Sequence, residues 1–400
     1  MMRTEIITDN IPRASEIIRH GGLAAVPTET VYGLAANGLD AAAVEKIYEV
    51  KGRPAIKPLS LMVPDAGAME KYCTDVPAQA HMLAEKFWPG PLTIILKSKP
   101  VVPDIVRAGG GTVGLRCPDH AKTLALLREC GVPLAAPSAN PSGKPSPRSA
   151  EAVMDYFAGA IDAVIDGGTC SMGVESTILD MSCIPYRILR QGALPAEDIG
   201  KALMDGLKVI GITGGTGCGK TTALDVLKDM GALVLDCDEV YHELTLTSVE
   251  MRAELTARFG DIYDGSALDR KKLGAVVFSD PGALADLNAI THKYVDMEIN
   301  SRLTQWAMSG GTVAAVDAIA LIGSGIDERC IATVGITAPT ETRVQRLIAR
   351  EGISEEYARL RISAQKPNEY FEKNCTLTIN NDSTREAFAE KCRRAFSGLL

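Results

Sequence analysis

Apolar positions along this chain follow two periods. From Ile11 to His20 they recur at helical spacing and run into Gly21-Gly22, a helix stop, after which Leu23-Ala24-Ala25-Val26 is a short unbroken apolar run that predicts a buried strand. Asp40 stands ahead of a helix whose Val44, Ile47 and Tyr48 share one face. Strands follow at Leu92–Leu96, behind the rigid turn Trp88-Pro89-Gly90-Pro91, and at Thr112–Arg116. A further buried strand begins at Pro133 and opens into the small-residue loop Pro137–Gly143. Beyond a short helical pattern, Pro195–Met204, strand, glycine-rich loop and helix succeed one another: an apolar strand over Leu207–Ile212 and a helix over Thr222–Lys228. Strands are then expected at Ala232–Leu235, Val313–Ile322 and Ile331–Thr337, and Arg343–Arg361 carries arginines at helical spacing. Strands alternating with helices predict an α/β protein.

Length changes the picture from one domain to two. A chain of 400 residues, 46% hydrophobic, can fill two cores. In a nucleotide-binding α/β fold the glycine-rich loop follows the first strand, so a new domain begins just before Lys208. The expected division is residues 1–206, including a short linker at 193–206, and residues 207–400. Composition also excludes function classes. No run of eighteen apolar residues occurs, and Met1–Asn10 carries Glu5 and Asp9 where a secretory signal would be basic and then apolar, which predicts a cytoplasmic protein without membrane association. Ten cysteines lack any C-x-x-C pair and read as reduced thiols, and five histidines without H-E-x-x-H give no zinc motif. The net charge of −8 favours small-molecule substrates over a nucleic-acid-coating surface, while leaving room for a local basic groove.

The clearest chemistry lies in Gly214-Gly215-Thr216-Gly217-Cys218-Gly219-Lys220-Thr221, which fits G-x-x-x-x-G-K-[ST]. Glycines let backbone N–H groups wrap phosphates, Lys220 reaches the outer phosphates, and the Thr221 hydroxyl, followed by Thr222, is placed to ligand Mg²⁺. A chance glycine-rich turn is the competing reading, and the flanking strand and helix weigh against it. Asp236 and Asp238 close the strand Ala232–Leu235 on the side where such folds bind nucleotides. One can take a proton from an attacking hydroxyl and the other can hold Mg²⁺ through water, or Asp238 can merely cap a helix. Arg343, Arg346, Arg350, Arg359 and Arg361 read either as a solvated helix face or as a lid that closes over a transferring phosphate.

In the first half, Pro27–Gly33 sets Thr28, Glu29, Thr30 and Tyr32 at the end of a strand, where a site or a simple hydroxyl-capped turn are both open readings. Lys51, Arg53 and Lys57 fall within seven residues on a loop stiffened by Gly52, Pro54 and Pro58, which suits an anion better than a plain charged surface does. Arg116 ends a strand, and Ser138 and Asn140 sit on a loop that lets a ligand approach the backbone.

The motifs Pro27-Thr28-Glu29-Thr30-Val31-Tyr32-Gly33-Leu34, Lys51-Gly52-Arg53-Pro54, Phe87–Thr93, Ser138-Ala139-Asn140 and Gly173–Thr177 resemble the YrdC-type L-threonylcarbamoyladenylate synthases over about residues 10–195. The resemblance implies that L-threonine, bicarbonate and ATP give threonylcarbamoyl-AMP and pyrophosphate, the supply for a tRNA modification, with tRNA or its modifying machinery as partner. It implies Lys51, Arg53, Ser138 and Asn140 at the nucleotide, and Thr28, Tyr32, Lys57, Ser60, Arg116, Ser176 and Arg190 around the three substrates. Double-stranded RNA binding is the competing reading of this half. Residues 208–400 resemble dephospho-CoA kinase through Thr213–Thr222, Asp236 and Asp238, Leu268-Asp269-Arg270, Val277-Phe278, His292, Arg350-Glu351-Gly352 and Gln365. That implies transfer of the ATP γ-phosphoryl to the ribose 3′-hydroxyl of dephospho-CoA, with Gly214, Gly217, Cys218, Gly219, Lys220, Thr221 and Thr222 at the nucleotide and Arg350 on the lid. Lys293 and Gly323 depart from the kinase pattern, where proline and a carboxylate are usual, which leaves open a half that only senses nucleotide. The implied architecture is a YrdC-like twisted-sheet α/β domain followed by a P-loop kinase domain, three-layer α/β/α with a parallel sheet and helical lid. The implied enzyme is a nucleotidyltransferase joined to a phosphotransferase.

Overall fold

The structure is a computed structural model and describes residues 3–265, 267–277 and 280–400; Phe278 of the kinase-like motif lies outside them. Two compact units emerge, residues 1–206 with 308–310 and residues 207–307 with 311–400.

The first unit is built on a twisted mixed sheet. Its strands lie in the order Glu5–Ile7, Ala163–Ile165, Ala24–Val26, Gly33–Asn37, Leu134–Ala135, Ser60–Met62, Thr112–Arg116, Leu92–Ser98, Thr177–Asp180 and Arg187–Arg190. Helices Ile11–Arg19 and Ala121–Cys130 cover one face, burying Ala14, Ile18, Leu126 and Leu127 against Ala24, Val26 and Ile165. The first helix is capped by the Asn10 side chain, which accepts from Arg13 N, and ends at His20 as its spacing requires. The strand expected from Pro133 is only Leu134–Ala135, since the prolines on either side, Pro133 and Pro137, have no N–H to continue a ladder between its two antiparallel neighbours. The stretch expected as a linker is the helix Ala196–Asp205, with Ile199, Ala202 and Leu203 buried.

The second unit is a three-layer α/β/α arrangement. Five parallel strands run in the order Leu233–Asp236, Val313–Asp317, Lys208–Thr213, Ala332–Thr337 and Leu377–Asn380. Both faces of the central strand are covered, which is why Val209 to Thr213 is continuously buried rather than alternating. Helices Lys220–Asp229 and Arg385–Ser397 press Ala223, Leu227, Phe388 and Phe396 onto the sheet. The strand expected over Val313–Ile322 stops at Asp317. Leu321 is nevertheless fully buried, so the apolar run reflects loop packing against the core, and Gly323 and Gly325 turn the backbone at φ 79° and 86°. The arginine-rich segment is two helices, Thr340–Glu351 and Glu355–Ser363, parted by Gly352 at φ 66°. No helix among the described residues is long and apolar enough to cross a membrane.

Candidate active sites

In the first unit, strand Thr112–Arg116 runs parallel beside Ser60–Met62 with Ser60 opposite Gly114 and Met62 opposite Arg116, so Ser60 and Arg116 stand two positions apart on neighbouring strands. Gly114 permits this approach: a Cβ there would lie 2.9 Å from the Ser60 Oγ. The result is a cavity of about 240 Å³ whose wall includes Tyr32, Arg53, Ser60, Arg116, Ser138, Ser176 and Arg190. Seven of the residues singled out in this half therefore share one wall, with three arginines among them.

The guanidinium groups are fixed from behind. Arg116 donates Nε to Gly90 O at 3.2 Å and Nη2 to Glu29 Oε1 at 2.7 Å and Thr30 Oγ1 at 2.8 Å, all in the interior. Glu29 is held in turn by the Asp119 N–H at 3.0 Å. Arg190 reaches the Ser176 carbonyl with Nε and Nη2 at 3.1 and 2.8 Å, and burial together with nearby Arg116 pulls its pKa down against the raising effect of Glu175. Arg53 donates to the carbonyls of Lys57 and Pro58 at 3.3 and 3.0 Å, which gives the stiff loop its shape.

Lys51, Asn140, Thr28 and Lys57 stand apart from that wall. Lys51, the last residue of helix Ala41–Lys51 and 3% exposed, donates its ammonium to the carbonyls of Ser138 and Asn140. Burial, then the charge of Arg53, lowers its pKa to about 8. It ties the helix end to the Ser138–Asn140 loop. Asn140 clamps that loop by donating to Pro141 O and Lys144 O at 3.0 and 2.6 Å, while its buried Oδ1 has no partner among the described residues. The Thr28 hydroxyl accepts from the Thr30 and Val31 N–H groups at 3.2 Å each, a closed turn inside the fold. Lys57 is exposed.

The second unit presents its site at the C-terminal ends of the parallel strands. Gly214 follows Thr213 at φ 143°, and a Cβ there would meet the Ile336 carbonyl at 2.3 Å, so only glycine fits. The loop's carbonyls are pinned outward. Arg343 Nε holds Thr216 O at 2.9 Å, Arg346 Nη1 holds Gly217 O at 3.2 Å, and Asn381 Nδ2 holds Cys218 O at 2.8 Å. A trans peptide points its N–H opposite its C=O, so these pins turn the N–H groups of Gly217 and Gly219 to the other side, where a phosphate would lie. Lys220 opens the following helix and Thr221 is exposed on its first turn, with Thr222 beside it.

Lys220 Nζ is paired with Asp317 Oδ1 at 2.7 Å, both largely buried. Asp317 lies opposite Asp236 in the strand register, and burial raises its pKa despite Lys220. Asp236 is an N-cap: its Oδ1 accepts from Asp238 N and Glu239 N at 2.8 and 3.3 Å. The helix cap considered for Asp238 thus belongs to Asp236. Asp238 instead lines a cavity of about 310 Å³ together with Tyr241, Asn288, Thr291, His292 and Ser324. The arginines of the lid segment divide. Arg343 and Arg346 buttress the phosphate loop, whereas Arg350 and Arg361 are both bonded to Glu351, and Arg359 to Glu341 and Glu355.

Residues 16–192 match the family Sua5/YciO/YrdC, described as Telomere recombination, and residues 208–386 match the family dephospho-CoA kinase. A putative threonylcarbamoyl-AMP synthase of Methanocaldococcus jannaschii is 39% identical over 46% of this chain and 86% of its own length. A dephospho-CoA kinase of Geobacter sulfurreducens is 34% identical over 45% of this chain and 92% of its own. The chain belongs to both families. The threonylcarbamoyl-AMP synthase of Pyrococcus abyssi is 48% identical over 48% of the chain but is matched over only 56% of its own length, so the chain spans about half of that relative.

The two departures from the dephospho-CoA kinase pattern fall away from the Asp238 cavity wall. Lys293 pairs on the surface with Glu254 at 2.6 Å, and Gly323 holds a positive-φ turn whose N–H donates to Asp327 Oδ2 at 2.8 Å. Glu29, Glu175, Asp317, Arg343 and Arg346 were not picked out for these roles from the sequence. Asp317 carries the readable signal, a carboxylate closing the apolar run Val313–Val316.

Proposed function

We propose that the chain is a bifunctional ATP-using enzyme, forming L-threonylcarbamoyladenylate in the first unit and phosphorylating the 3′-hydroxyl of dephospho-CoA in the second. The observation that carries this reading is the pair of unlike phosphate cradles: a three-arginine cavity in one unit and a glycine loop with a lysine in the other.

In the first unit, the threonine nitrogen attacks bicarbonate carbon with loss of water, and the resulting carbamate oxygen attacks the ATP α-phosphorus as pyrophosphate leaves. Charge grows on the departing oxygens, and Arg53, Arg116 and Arg190 are placed to stabilise it, since their backs are already fixed and need no reorganisation. Lys51 acts as a positioning residue through the Ser138–Asn140 loop. The product then serves a tRNA-modifying partner.

In the second unit, Lys220 leaves Asp317 for the outer phosphates of ATP, and Asp238, on the wall of the acceptor cavity, takes the proton from the 3′-hydroxyl. Of the two carboxylates, Asp238 is the one free to act as base, since the Asp236 Oδ1 is spent on the helix cap. The exposed Thr221 hydroxyl and the carboxylates Asp236 and Asp317 are hard oxygen donors that suit Mg²⁺, which is commonly held by few side chains plus phosphates and would neutralise phosphate charge there. Assays of the purified chain with each substrate set test the reading. Threonine- and bicarbonate-dependent pyrophosphate and dephospho-CoA-dependent ADP are both expected. Absence of one would leave that half as a nucleotide sensor.

A further inference from the structure

Two cavities of the second unit share one wall residue, Tyr241. The larger one, beside Asp238, draws its polar groups from Asp238, Asn288, Thr291, His292, Asp296 and Ser324, and among the described residues its wall holds no lysine or arginine. The smaller, of about 240 Å³, is lined by His242, Thr245, Leu246, Leu268 and Arg270 in addition to Tyr241. An acceptor such as dephospho-CoA carries a diphosphate on the 5′ side of the ribose that offers its 3′-hydroxyl. A wall with two carboxylates and no strong cation is a poor place for that diphosphate. The neighbouring cavity supplies what is missing.

The helix Cys237–Thr247 links the two. Asp238, Tyr241, His242 and Thr245 follow the i, i+3, i+4, i+7 spacing of one helix face, so Asp238 and His242 are about one turn, ~6 Å, apart along the axis. Arg270 Nη2 lies 3.1 Å from His242 Nδ1. A guanidinium can only donate, so Nδ1 accepts, which fixes the tautomer with the ring proton on Nε2 and leaves that N–H to offer. The pair keeps one full positive charge and gains a donor. The adjacent carboxylate, Asp269, is occupied: its Oδ1 accepts from Lys271 N and Lys272 N at 3.0 and 3.1 Å. Beyond the pair, Leu246, 64% exposed, and Leu268 offer an apolar ledge to whatever chain follows the diphosphate.

We propose that Arg270, seated on His242, binds the 5′-diphosphate of the kinase acceptor, which lies along the helix Cys237–Thr247 with its 3′-hydroxyl at Asp238. The proposal rests on the kinase reading of the second unit. It makes Arg270 a specificity residue that selects nucleotides carrying a 5′-diphosphate over bare nucleosides.

Calorimetric titration of the full chain with dephospho-CoA, adenosine and ATP tests it, comparing the wild type with Arg270→Gln and Arg270→Lys. Arg270→Gln should weaken dephospho-CoA by about 10- to 100-fold, the loss of a charge-assisted contact, and shift adenosine and ATP by less than about twofold. Arg270→Lys should recover part of the dephospho-CoA affinity. Unchanged dephospho-CoA binding in Arg270→Gln, or an equal loss for adenosine, would overturn the assignment. A wild-type chain that binds ATP but no dephospho-CoA would instead overturn the kinase reading on which it rests.

Discussion

Lys51, behind the loop that lines the first cavity, and Lys220, at the phosphate loop, are both largely withdrawn from solvent, and their partners set them apart. Lys220 faces a carboxylate, Asp317, whereas Lys51 faces two carbonyls, with Arg53 and Glu175 as the charged groups that act on it. Burial thus leaves Lys51 with a pKa of about 8, below the ordinary lysine value. The folded state releases this proton more readily than the unfolded chain, so between about pH 8 and the ordinary lysine value the unfolded state binds more protons and stability gains as pH rises. Unfolding free energies of wild type and Lys51→Met, measured from pH 7 to 10, should differ by an amount that grows in favour of wild type above about pH 8. A pH-independent difference would show that Lys51 stays charged. For the kinase base, Asp236→Asn and Asp238→Asn separate two roles, because asparagine caps a helix as well as aspartate does and the fold is kept in the first variant. Asp238→Asn should lower kcat for dephospho-CoA by about 10²-fold or more, with a smaller effect from Asp236→Asn. The reverse ranking returns the base to Asp236.

Among the elements, the phosphate loop depends on a helix far along the sequence. Arg343, 3% exposed, bonds Thr216 O and Gln365 Oε1, and Gln365 in turn accepts from Thr216 N at 2.9 Å. Arg343→Met should therefore raise the KM for ATP by about tenfold through a loosened loop, since a buried charge-assisted contact is worth about 1.5–3 kcal/mol. Its thermal unfolding should also fall, and an unchanged KM would contradict the buttress. The loop, its strand and its helix were legible because glycine spacing and an apolar run encode them locally. The division of labour among the arginines was not, because helical spacing shows which residues share an element and not which carbonyl each one reaches. The strand ending at Asp317 was misread for a related reason: Leu321 is buried by loop packing, and burial without a ladder looks like a strand in one dimension. In the first unit the charged loop and the strand-end arginine were readable, while the Glu29–Arg116 pair joins positions that only the sheet brings together.

At the scale of the whole molecule, each unit has a core drawn from its own residues, around Ile18, Leu126 and Ile165 in one and around Ile212, Leu227 and Phe388 in the other. Chains cut between Gly206 and Leu207 should each unfold cooperatively in denaturant, as independent cores do. Non-cooperative melting of either piece would show that it needs the other. On the bifunctional reading, one chain carries two ATP-using sites that share no residue. Parallel assays of Arg53→Ala and Lys220→Ala test it most directly. Arg53→Ala should lose threonine-dependent pyrophosphate release and keep ADP formation with dephospho-CoA, and Lys220→Ala should do the opposite. Loss of both activities in either variant, or of neither in both, would contradict it.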